Sequence, residues 1–336
     1  MAAGYPADLA ISRARLGRGL SDEEMFVTED HDGRVPVDPG AIVFQTASDA
    51  GSRHATIADC LQSVRRWANR SGHEYRFVND EFFEVLPPRF ADMRTTNTLA
   101  ATDLARLLWA QLETAKGRTF VWMDADVFVA DPAARLMCEI GTEAFAREMC
   151  LDRLGGEVVA IKAVNNSVSV FRPGGAFLAY HITWCFREAD RWGDRLSRCH
   201  FGTDFLTATA ETTGVPLIDG TGSFTTYLTD EIAAGGMGLV ATHALLTRAP
   251  LAFVNLCGSL GALPDERSGP FVNRLRTAIG EHNRLTSAGD EAYAKASPVR
   301  WAGLDYSFGS TWFRENDERE VPQPSEDDGF TRSTVG

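Results

Sequence analysis

Apolar residues near the start of the chain follow a strand, helix, strand order. Residues 41–46, Ala-Ile-Val-Phe-Gln-Thr, form a short apolar run that is typical of a β-strand. Residues 53–70 carry apolar side chains at helical spacing and are followed by Ser71-Gly72, which is a helix stop signal. Residues 74–79 alternate between apolar and polar in the manner of a second strand. This opening predicts an α/β sheet.

The middle of the chain continues this alternation with longer elements. Residues 95–116 carry a one-sided leucine pattern, which predicts a long helix that ends at Lys116-Gly117. Residues 119–129, Thr-Phe-Val-Trp-Met-Asp-Ala-Asp-Val-Phe-Val, are rich in valine and aromatic residues and predict a buried central strand. Further along, the pattern predicts a strand over residues 167–171, a helix over 176–192, and late strands over 239–243 and 251–256.

The two ends of the chain differ from this central part in composition. Residues 1–39 are polar and mixed in charge, and Asp38-Pro39-Gly40 marks a turn at their end. The tail beyond Trp312 is strongly acidic and contains Pro322 and Pro324, which is typical of disorder. We therefore predict an N-terminal extension over residues 1–39, a single large domain over 40–313 and a disordered acidic tail over 314–336.

Composition and charge narrow the classes of partner. The 336-residue chain has a formal net charge of −13, which argues against a nucleic-acid or anionic membrane surface as the main partner. It shows neither a secretion-type start nor an apolar run of about 18 residues, so we expect a cytoplasmic protein without an integral membrane segment. None of the six cysteines forms a Cys-x-x-Cys pair, which argues against a structural zinc site and favours free thiols.

Two carboxylates, Asp124 and Asp126, stand alone inside the apolar run at residues 119–129. Burying ionised carboxylates is costly unless a cation meets them. The simplest cation for two neighbouring carboxylates is a hard divalent metal such as Mn²⁺ or Mg²⁺. A strand that ends in Asp-x-Asp is therefore a candidate site for a metal and a diphosphate. The alternative is that both aspartates lie in water at a strand-to-loop junction.

A second pair of charges lies on the preceding helix. Asp103 and Arg106 are three residues apart, so they share one helix face. By itself this spacing describes a surface ion pair that contributes little to stability. Because the helix leads into the Asp-x-Asp strand, both side chains can end near the pocket at Asp124 and Asp126.

The segments Ala-Thr-Asp-Leu-Ala-Arg (101–106) and Met-Asp-Ala-Asp (123–126) together resemble the nucleotide-sugar glycosyltransferases of the GT-A fold. The pattern is similar to that of the DxD sugar-binding group, and later elements resemble glycogenin-like enzymes. The resemblance spans about residues 41–245. It implies an α/β fold with a GT-A-like, Rossmann-type mixed sheet flanked by helices. It also implies transfer of a sugar from a nucleotide-diphosphate donor, with UDP favoured over GDP, with Mn²⁺ or Mg²⁺ and with retention of configuration.

The resemblance assigns roles to individual residues of this chain. Asp126 would coordinate the metal directly, and Asp124 would contact the ribose and reach the metal directly or through water. Asp103 and Arg106 would hold hydroxyl groups of the donor sugar and belong to the catalytic set. Contacts to the nucleotide or to the sugar are further implied for Phe44, Gln45, Thr46, Ala125, Asn165 and Asn166.

Two assignments lie in the second half of the chain. Asp204, within Gly202-Thr203-Asp204, resembles the aspartate near the anomeric carbon and would be the base in an inverting enzyme. His243 is placed like the histidine that completes the metal coordination, although a core histidine fits equally well, and His200 and His282 are rivals. The family's Gly-Gly-x-Tyr and Lys-Pro-Trp segments are absent, so an arginine such as Arg248 would have to serve the diphosphate.

Other functions remain open from the sequence. A phosphatase of the haloacid dehalogenase type also ends a strand in Asp-x-Asp and uses the first aspartate as nucleophile. Its motif usually lies near the N-terminus and has Thr or Val where this chain has Phe128. A nucleotidyltransferase would need a glycine-rich phosphate loop that the chain lacks, and a non-catalytic sugar-nucleotide-binding module would need no metal. The acceptor could be a glycan, a protein or a small molecule.

Overall fold

A computed structural model of the chain describes residues 33–154, 157–258, 263, 268–288 and 300–301. The first 32 residues of the predicted N-terminal extension and the predicted acidic tail over 314–336 lie outside the described residues. The end of that extension includes a short strand that joins the main sheet. The boundaries of the predicted domain stay a prediction.

The described residues form twelve strands and nine α-helices. The strands are β1 (Arg34–Pro36), β2 (Ile42–Thr46), β3 (Glu74–Val78), β4 (Phe120–Met123), β5 (Val127–Val129), β6 (Met137–Glu139), β7 (Glu143–Leu154), β8 (Glu157–Phe171), β9 (Leu217–Ile218), β10 (Thr221–Ser223), β11 (Phe253–Asn255) and β12 (Arg300–Trp301). The helices are α1 (Asp49–Arg53), α2 (Ala55–Arg70), α3 (Met93–Thr96), α4 (Thr98–Ala115), α5 (Ala176–Trp192), α6 (Phe205–Thr213), α7 (Thr226–Ala234), α8 (Gly238–Thr247) and α9 (Ser268–Thr286).

The main sheet is mixed in direction. Its strand order is β1-β6-β9-β7-β8-β4-β2-β3, with β12 beside β8. Strand β2 runs parallel to both β3 and β4, as expected for strands joined by crossover helices, whereas β8 runs antiparallel to β4. Helices flank this sheet, so the predicted α/β class with a mixed sheet is confirmed.

Alternate residues of β2 and β4 face opposite sides of the main sheet. Ile42, Phe44 and Trp122 belong to a core that includes α4 and α5, whereas Val43 and Val121 belong to a second core that includes α2. Both faces of these central strands are therefore buried, which explains their nearly continuous apolar sequence.

The predicted strand over residues 119–129 is interrupted. Strand β4 ends at Met123, the backbone turns through residues 124–126, and β5 begins at Val127. The turn is closed by the amide of Val127, which donates to the carbonyl oxygen of Asp124 at 3.1 Å. Strand β5 then leaves the main sheet and pairs antiparallel with β11 in a small sheet of order β10-β11-β5. The Asp-x-Asp segment therefore lies at the step between two sheets.

Two further sequence-based predictions need correction. The apolar run at residues 239–243 is part of helix α8 and not a strand, because a short run that is buried on every side has no periodicity to distinguish the two. The long strand β7 went unpredicted, because charged residues interrupt its apolar pattern. The predicted late strand over 251–256 is confirmed as β11. None of the described helices combines enough length and apolar character to cross a membrane.

A buried histidine on α5 shows how burial sets a pKa in this fold. The ring of His181 stacks on Phe205 with ring centroids 4.2 Å apart, and its Nε2 lies 2.7 Å from the carbonyl oxygen of Phe201. Burial lowers the pKa of His181 to about 3, against an ordinary value of 6.5. The folded protein therefore keeps this ring neutral at pH values where the unfolded chain protonates it.

We expect His181 to make the protein less stable as the pH falls below about 6.5. Relative to a His181→Phe variant, the free energy of unfolding of the wild type should fall by up to about 1.4 kcal/mol per pH unit between about pH 6 and about pH 4. Urea unfolding of both proteins across this range measures the difference. A difference that does not change with pH would contradict the prediction.

Candidate functional site

Arg106 joins three parts of the fold. From helix α4 its Nη2 donates to Oδ1 of Asp103 on the same helix at 2.7 Å. Its Nη1 donates to the carbonyl oxygen of Asn166 on β8 at 2.7 Å and lies 3.3 Å from Oδ1 of Asp124. The predicted ion pair on one helix face is therefore buried, and it connects the helix to the Asp-x-Asp turn and to a central strand.

Asp124 is held by its backbone and by one carboxylate oxygen. Its amide donates to the carbonyl oxygen of Ser167 at 2.8 Å, and its own carbonyl oxygen accepts from Nε2 of Gln45 at 3.0 Å. The indole Nε1 of Trp122 donates to Oδ1 at 2.6 Å, and the guanidinium of Arg106 lies over the same indole. The side chain stays 27% exposed, so a ligand can approach the carboxylate from one side.

Backbone amides of the segment that follows β11 hold Asp126 in place. The amide of Gly258 donates to its Oδ2 at 2.6 Å, and the amide of Leu256 donates to its carbonyl oxygen at 3.1 Å. A Cβ atom at position 258 would lie 3.2 Å from Oδ2, so glycine allows this close approach. Sequence reasoning missed this segment, because nothing in its local pattern shows which strand it meets.

The site holds more negative than positive charge. Burial raises the pKa of Asp103 and of Asp126 to about 6 each and also raises that of Asp124, while Arg106 opposes the shift in all three. The charge of Asp124 further raises the pKa of both other carboxyls. Within the described part of the chain, only Arg106 forms an ion pair with Asp103 or Asp124, and Asp126 forms none. The arrangement favours binding of a further cation.

The side chains of the two adjacent asparagines of β8 form hydrogen bonds on different sides of the strand. Asn166 donates from Nδ2 to Oδ1 of Asp103 at 3.0 Å, so it belongs to the Arg106 network. Asn165 donates from Nδ2 to Oε1 of Glu148 at 2.8 Å instead. Of the two predicted sugar contacts, the structure therefore brings only Asn166 to Asp103.

Asp204 lies at the end of a kinked turn over His200–Asp204, in which the backbone of Gly202 is not helical. Its Oδ2 accepts from the hydroxyl of Ser197 at 3.1 Å, and burial raises the pKa of its carboxyl. Gly202, two residues before Asp204, packs against the sugar-binding pair, because a Cβ atom there would lie 2.8 Å from Oδ2 of Asp103. The turn that carries Asp204 therefore lies against helix α4, and the catalytic role of Asp204 stays a prediction.

The predicted base-binding edge is well packed. Phe44 is fully buried between the rings of Trp109 and Phe120, and Gln45 is buried with its amide on Asp124. Thr46 donates to the carbonyl oxygen of Asn79 at 3.4 Å, and Ala125 is half-buried. The roles of these residues in nucleotide binding stay predictions.

The structure does not bring His243 to the carboxylate pair. In helix α8 its ring is fully buried, with Nε2 2.9 Å from the carbonyl oxygen of Met149 and Nδ1 3.0 Å from Nε2 of His282. Among the described residues, no set of three ligand atoms within 4.8 Å of one another combines His243 with Asp124 and Asp126. Its role as a metal ligand stays a prediction that would require a change of partners.

The two rival histidines have partners outside the carboxylate pair. His200 stacks on Trp184 and has its Nε2 3.1 Å from Oε2 of Glu188. His282 is paired with His243. Arg248 is exposed at the C-terminal end of α8, where its φ is 54°. Its proposed contact with a diphosphate stays a prediction.

Comparison of the sequence with protein-family models found no match, and comparison with curated proteins found none either. The solved structures that are similar to this chain at low identity include three glycosyltransferases. A glycosyltransferase involved in the glycosylation of the major capsid of PBCV-1 is 14% identical, with a TM-score of 0.38, over 69% of this chain and 99% of that one. Mouse xyloside xylosyltransferase 1 in its apo form is 12% identical, with a TM-score of 0.38, over 67% and 100%.

The third is the galactosyltransferase LgtC in complex with donor and acceptor sugar analogs. It is 14% identical, with a TM-score of 0.33, over 76% of this chain and 99% of that one. Similarity at these values carries no argument about function.

A substitution at Gly202 tests the packing of this site. A Cβ atom at this position would lie 2.4 Å from Nδ2 of Asn166 and 2.8 Å from Oδ2 of Asp103, so Gly202→Ala should separate these two side chains. We expect a loss of about 1–3 kcal/mol in the free energy of unfolding, measured in urea.

Gly280→Ala is the matched control, because Gly280 lies inside α9 and a Cβ atom there would meet nothing within 4 Å. This variant should gain up to about 1 kcal/mol from helix propensity. Equal stability of the two variants would show that the site does not need glycine at position 202.

Proposed function

We propose that this protein is a metal-dependent glycosyltransferase. It would move a sugar from a nucleotide-diphosphate donor, with UDP favoured over GDP, to a glycan, protein or small-molecule acceptor. The observation that carries the proposal is the network in which Arg106 binds Asp103, Asp124 and the carbonyl oxygen of Asn166 at the break between two sheets. The resemblance of residues 101–106 and 123–126 to GT-A glycosyltransferases supports it.

The residues at the break fit a hard divalent cation. Asp124 and Asp126 offer carboxylate oxygens, which Mn²⁺ and Mg²⁺ prefer, and a donor diphosphate would add further oxygens. Burial raises the pKa of both carboxyls, so a cation that holds them ionised would relieve the cost of their burial. When bound, the metal would neutralise the charge that develops on the leaving diphosphate.

The protein's own groups would position the donor. Arg106 is fixed by two hydrogen bonds and by stacking over Trp122, so its guanidinium is held before a ligand arrives. Asp103 keeps one of its oxygens, Oδ2, outside the bonds to Arg106 and Asn166. We propose that these two side chains orient hydroxyl groups of the donor sugar, because accurate placement contributes much of the rate of a transfer reaction.

Asp204 is proposed to act at the reacting carbon. In an inverting reaction it would accept the proton of the acceptor hydroxyl. In a retaining reaction, which the resemblance favours, its charge would stabilise the positive charge that builds up on the sugar. Both roles require the carboxylate during the reaction and not during donor binding.

Nucleotide binding tests the metal proposal. We expect calorimetric titration to show that UDP, or failing that GDP, binds in the presence of Mn²⁺ and binds on the order of 100-fold more weakly without it. Asp126→Asn should abolish the metal dependence, because the amide cannot replace a charged ligand. Asp131→Asn is the control, since this exposed aspartate lies five residues downstream and only caps the turn at Ala133.

Metal-independent binding of the nucleotide would support a binding module instead. No binding of either nucleotide, together with release of phosphate from simple phosphomonoesters, would support the phosphatase. Either result would overturn the proposed transferase.

Asp204→Asn separates chemistry from binding. We expect the turnover of the donor, measured as nucleotide release from UDP-sugars, to fall by a factor of about 10² to 10⁴. The affinity for UDP with Mn²⁺ should stay unchanged, because Asp204 contacts Ser197 and not the Asp-x-Asp turn. Loss of binding together with turnover would contradict the assigned role.

A further inference from the structure

Three side chains that carry metal-ligand atoms come together next to the segment that holds the carboxylate of Asp126. Glu148 and Cys150 are two residues apart on β7, so they point to the same face of the strand. Cys257 comes from the segment that follows β11. One ligand atom from each lies within 4.8 Å of the other two, and all three residues are buried. The chain thus brings two thiols and a carboxylate together from positions about a hundred residues apart.

The carboxylate of this cluster has no cation beside it in the described part of the chain. Glu148 accepts a hydrogen bond from Nδ2 of Asn165, and the side chain of Ser223 lies beside both Glu148 and Cys257. No ion pair among the described residues includes Glu148. A buried carboxylate needs either a proton or a positive charge to offset its desolvation. The cluster therefore offers the ligand atoms that a cation requires, and Glu148 would add a negative charge once it is ionised.

The backbone of Cys257 is in an unusual conformation. Its φ is 49°, in the left-handed region that residues other than glycine seldom adopt. Among the described residues other than glycine, only Arg248 also has a positive φ. The amide of Cys257 donates to Oδ1 of Asn255 at 3.0 Å, which holds the segment in this conformation. Such conformations persist where the surrounding structure requires them and are frequent at binding sites. Here the conformation accompanies a thiol that lies beside Cys150 and Glu148.

We propose that Glu148, Cys150 and Cys257 bind a divalent transition metal of the Zn²⁺ type, at a site separate from Asp124 and Asp126. Two thiolates and a carboxylate are ligands that suit Zn²⁺, whereas Mn²⁺ and Mg²⁺ prefer oxygen alone. Zinc binds sulfur at about 2.3 Å and oxygen at about 2.0–2.2 Å, so ligand atoms in a tetrahedral site lie within 4.8 Å of one another. Ser223 or a water molecule would complete the coordination.

Binding would exchange protons for the metal. The S–H bonds of Cys150 and Cys257 break, and their two protons leave to solvent together with any proton on Glu148. Two metal–sulfur bonds and one metal–oxygen bond form without any change of oxidation state. The free thiols of the protein are therefore the correct starting state.

The position of the site suggests what the ion does. It would tie β7 of the main sheet to the segment after β11 in the small sheet. Gly258, the residue after Cys257, donates the hydrogen bond that holds the carboxylate of Asp126. A metal at the thiols would therefore fix the backbone that positions Asp126. This inference goes beyond the proposed function and stands or falls separately from it.

Cobalt substitution tests the site directly. The full chain is purified with a phosphine reductant and no chelator, stripped of metal, and titrated with Co²⁺. We expect a thiolate-to-cobalt charge-transfer absorption in the near ultraviolet that saturates at about one equivalent and is displaced by Zn²⁺. Saturation with Zn²⁺ should raise the Tm by about 5 °C. Absence of the charge-transfer absorption in the wild type would overturn the proposal.

The variants locate the ion and do not depend on activity. Cys150→Ser and Cys257→Ser should each weaken the charge-transfer absorption, and Glu148→Gln should lower the affinity for Co²⁺ at least 10-fold. Cys185→Ala, which removes a buried thiol on α5, should leave the absorption unchanged, as should Asp126→Asn. If Cys185→Ala alone removed the absorption, or if Cys150 and Cys257 could both be replaced without effect, the proposed ligands would be wrong. Circular dichroism of every variant shows that loss of the signal does not come from unfolding.

Discussion

The organisation of the site depends on the hydrogen bonds and ion pairs that the guanidinium of Arg106 makes. This guanidinium contacts a carboxylate on its own helix, a carboxylate in the turn after β4 and a backbone carbonyl on β8. A buried carboxylate without such a partner would cost several kcal/mol, so the three elements are held together by the need to compensate charge. Arginine suits this position because its planar group can donate in several directions at once.

The break between β4 and β5 follows from the same constraint. A continuous strand would point Asp124 and Asp126 toward the same face of the main sheet, where the core is apolar. The turn instead directs the chain into the small sheet. There the amide of Leu256 donates to the carbonyl oxygen of Asp126, and the amide of Gly258 donates to its carboxylate. These amides offset part of the cost of placing two carboxylates after an apolar strand. The same segment after β11 carries Cys257, so the small sheet supplies both proposed metal sites with a residue or a backbone donor.

Much of the fold and part of the site were predictable, for reasons that particular residues show. The strand–helix–strand opening and the long helix through Leu104 depend on local periodicity, which the sequence displays directly. Asp103 and Arg106 were predictable as a pair because three residues make almost one helical turn. The prediction of a late strand at 239–243 was wrong, because an apolar run that is buried on all sides has the same pattern in a strand and in a helix. His243 therefore lies within a helix, where it is buried, and not at the end of a strand.

By itself, the sequence determined the local elements, the apolar strand that ends in Asp-x-Asp and the charged pair on the helix before it. These depend on neighbours within one helical turn or one strand. Only the tertiary structure decided which distant residues meet these groups: Gly258 at Asp126, Asn166 at Asp103, and Cys257 at Glu148 and Cys150. The absence of Cys-x-x-Cys argued against a zinc site, yet that spacing rule detects only ligands that are close in sequence. The pairing of strands far apart in the chain sets these contacts, because it reflects the burial of whole faces and not any local pattern.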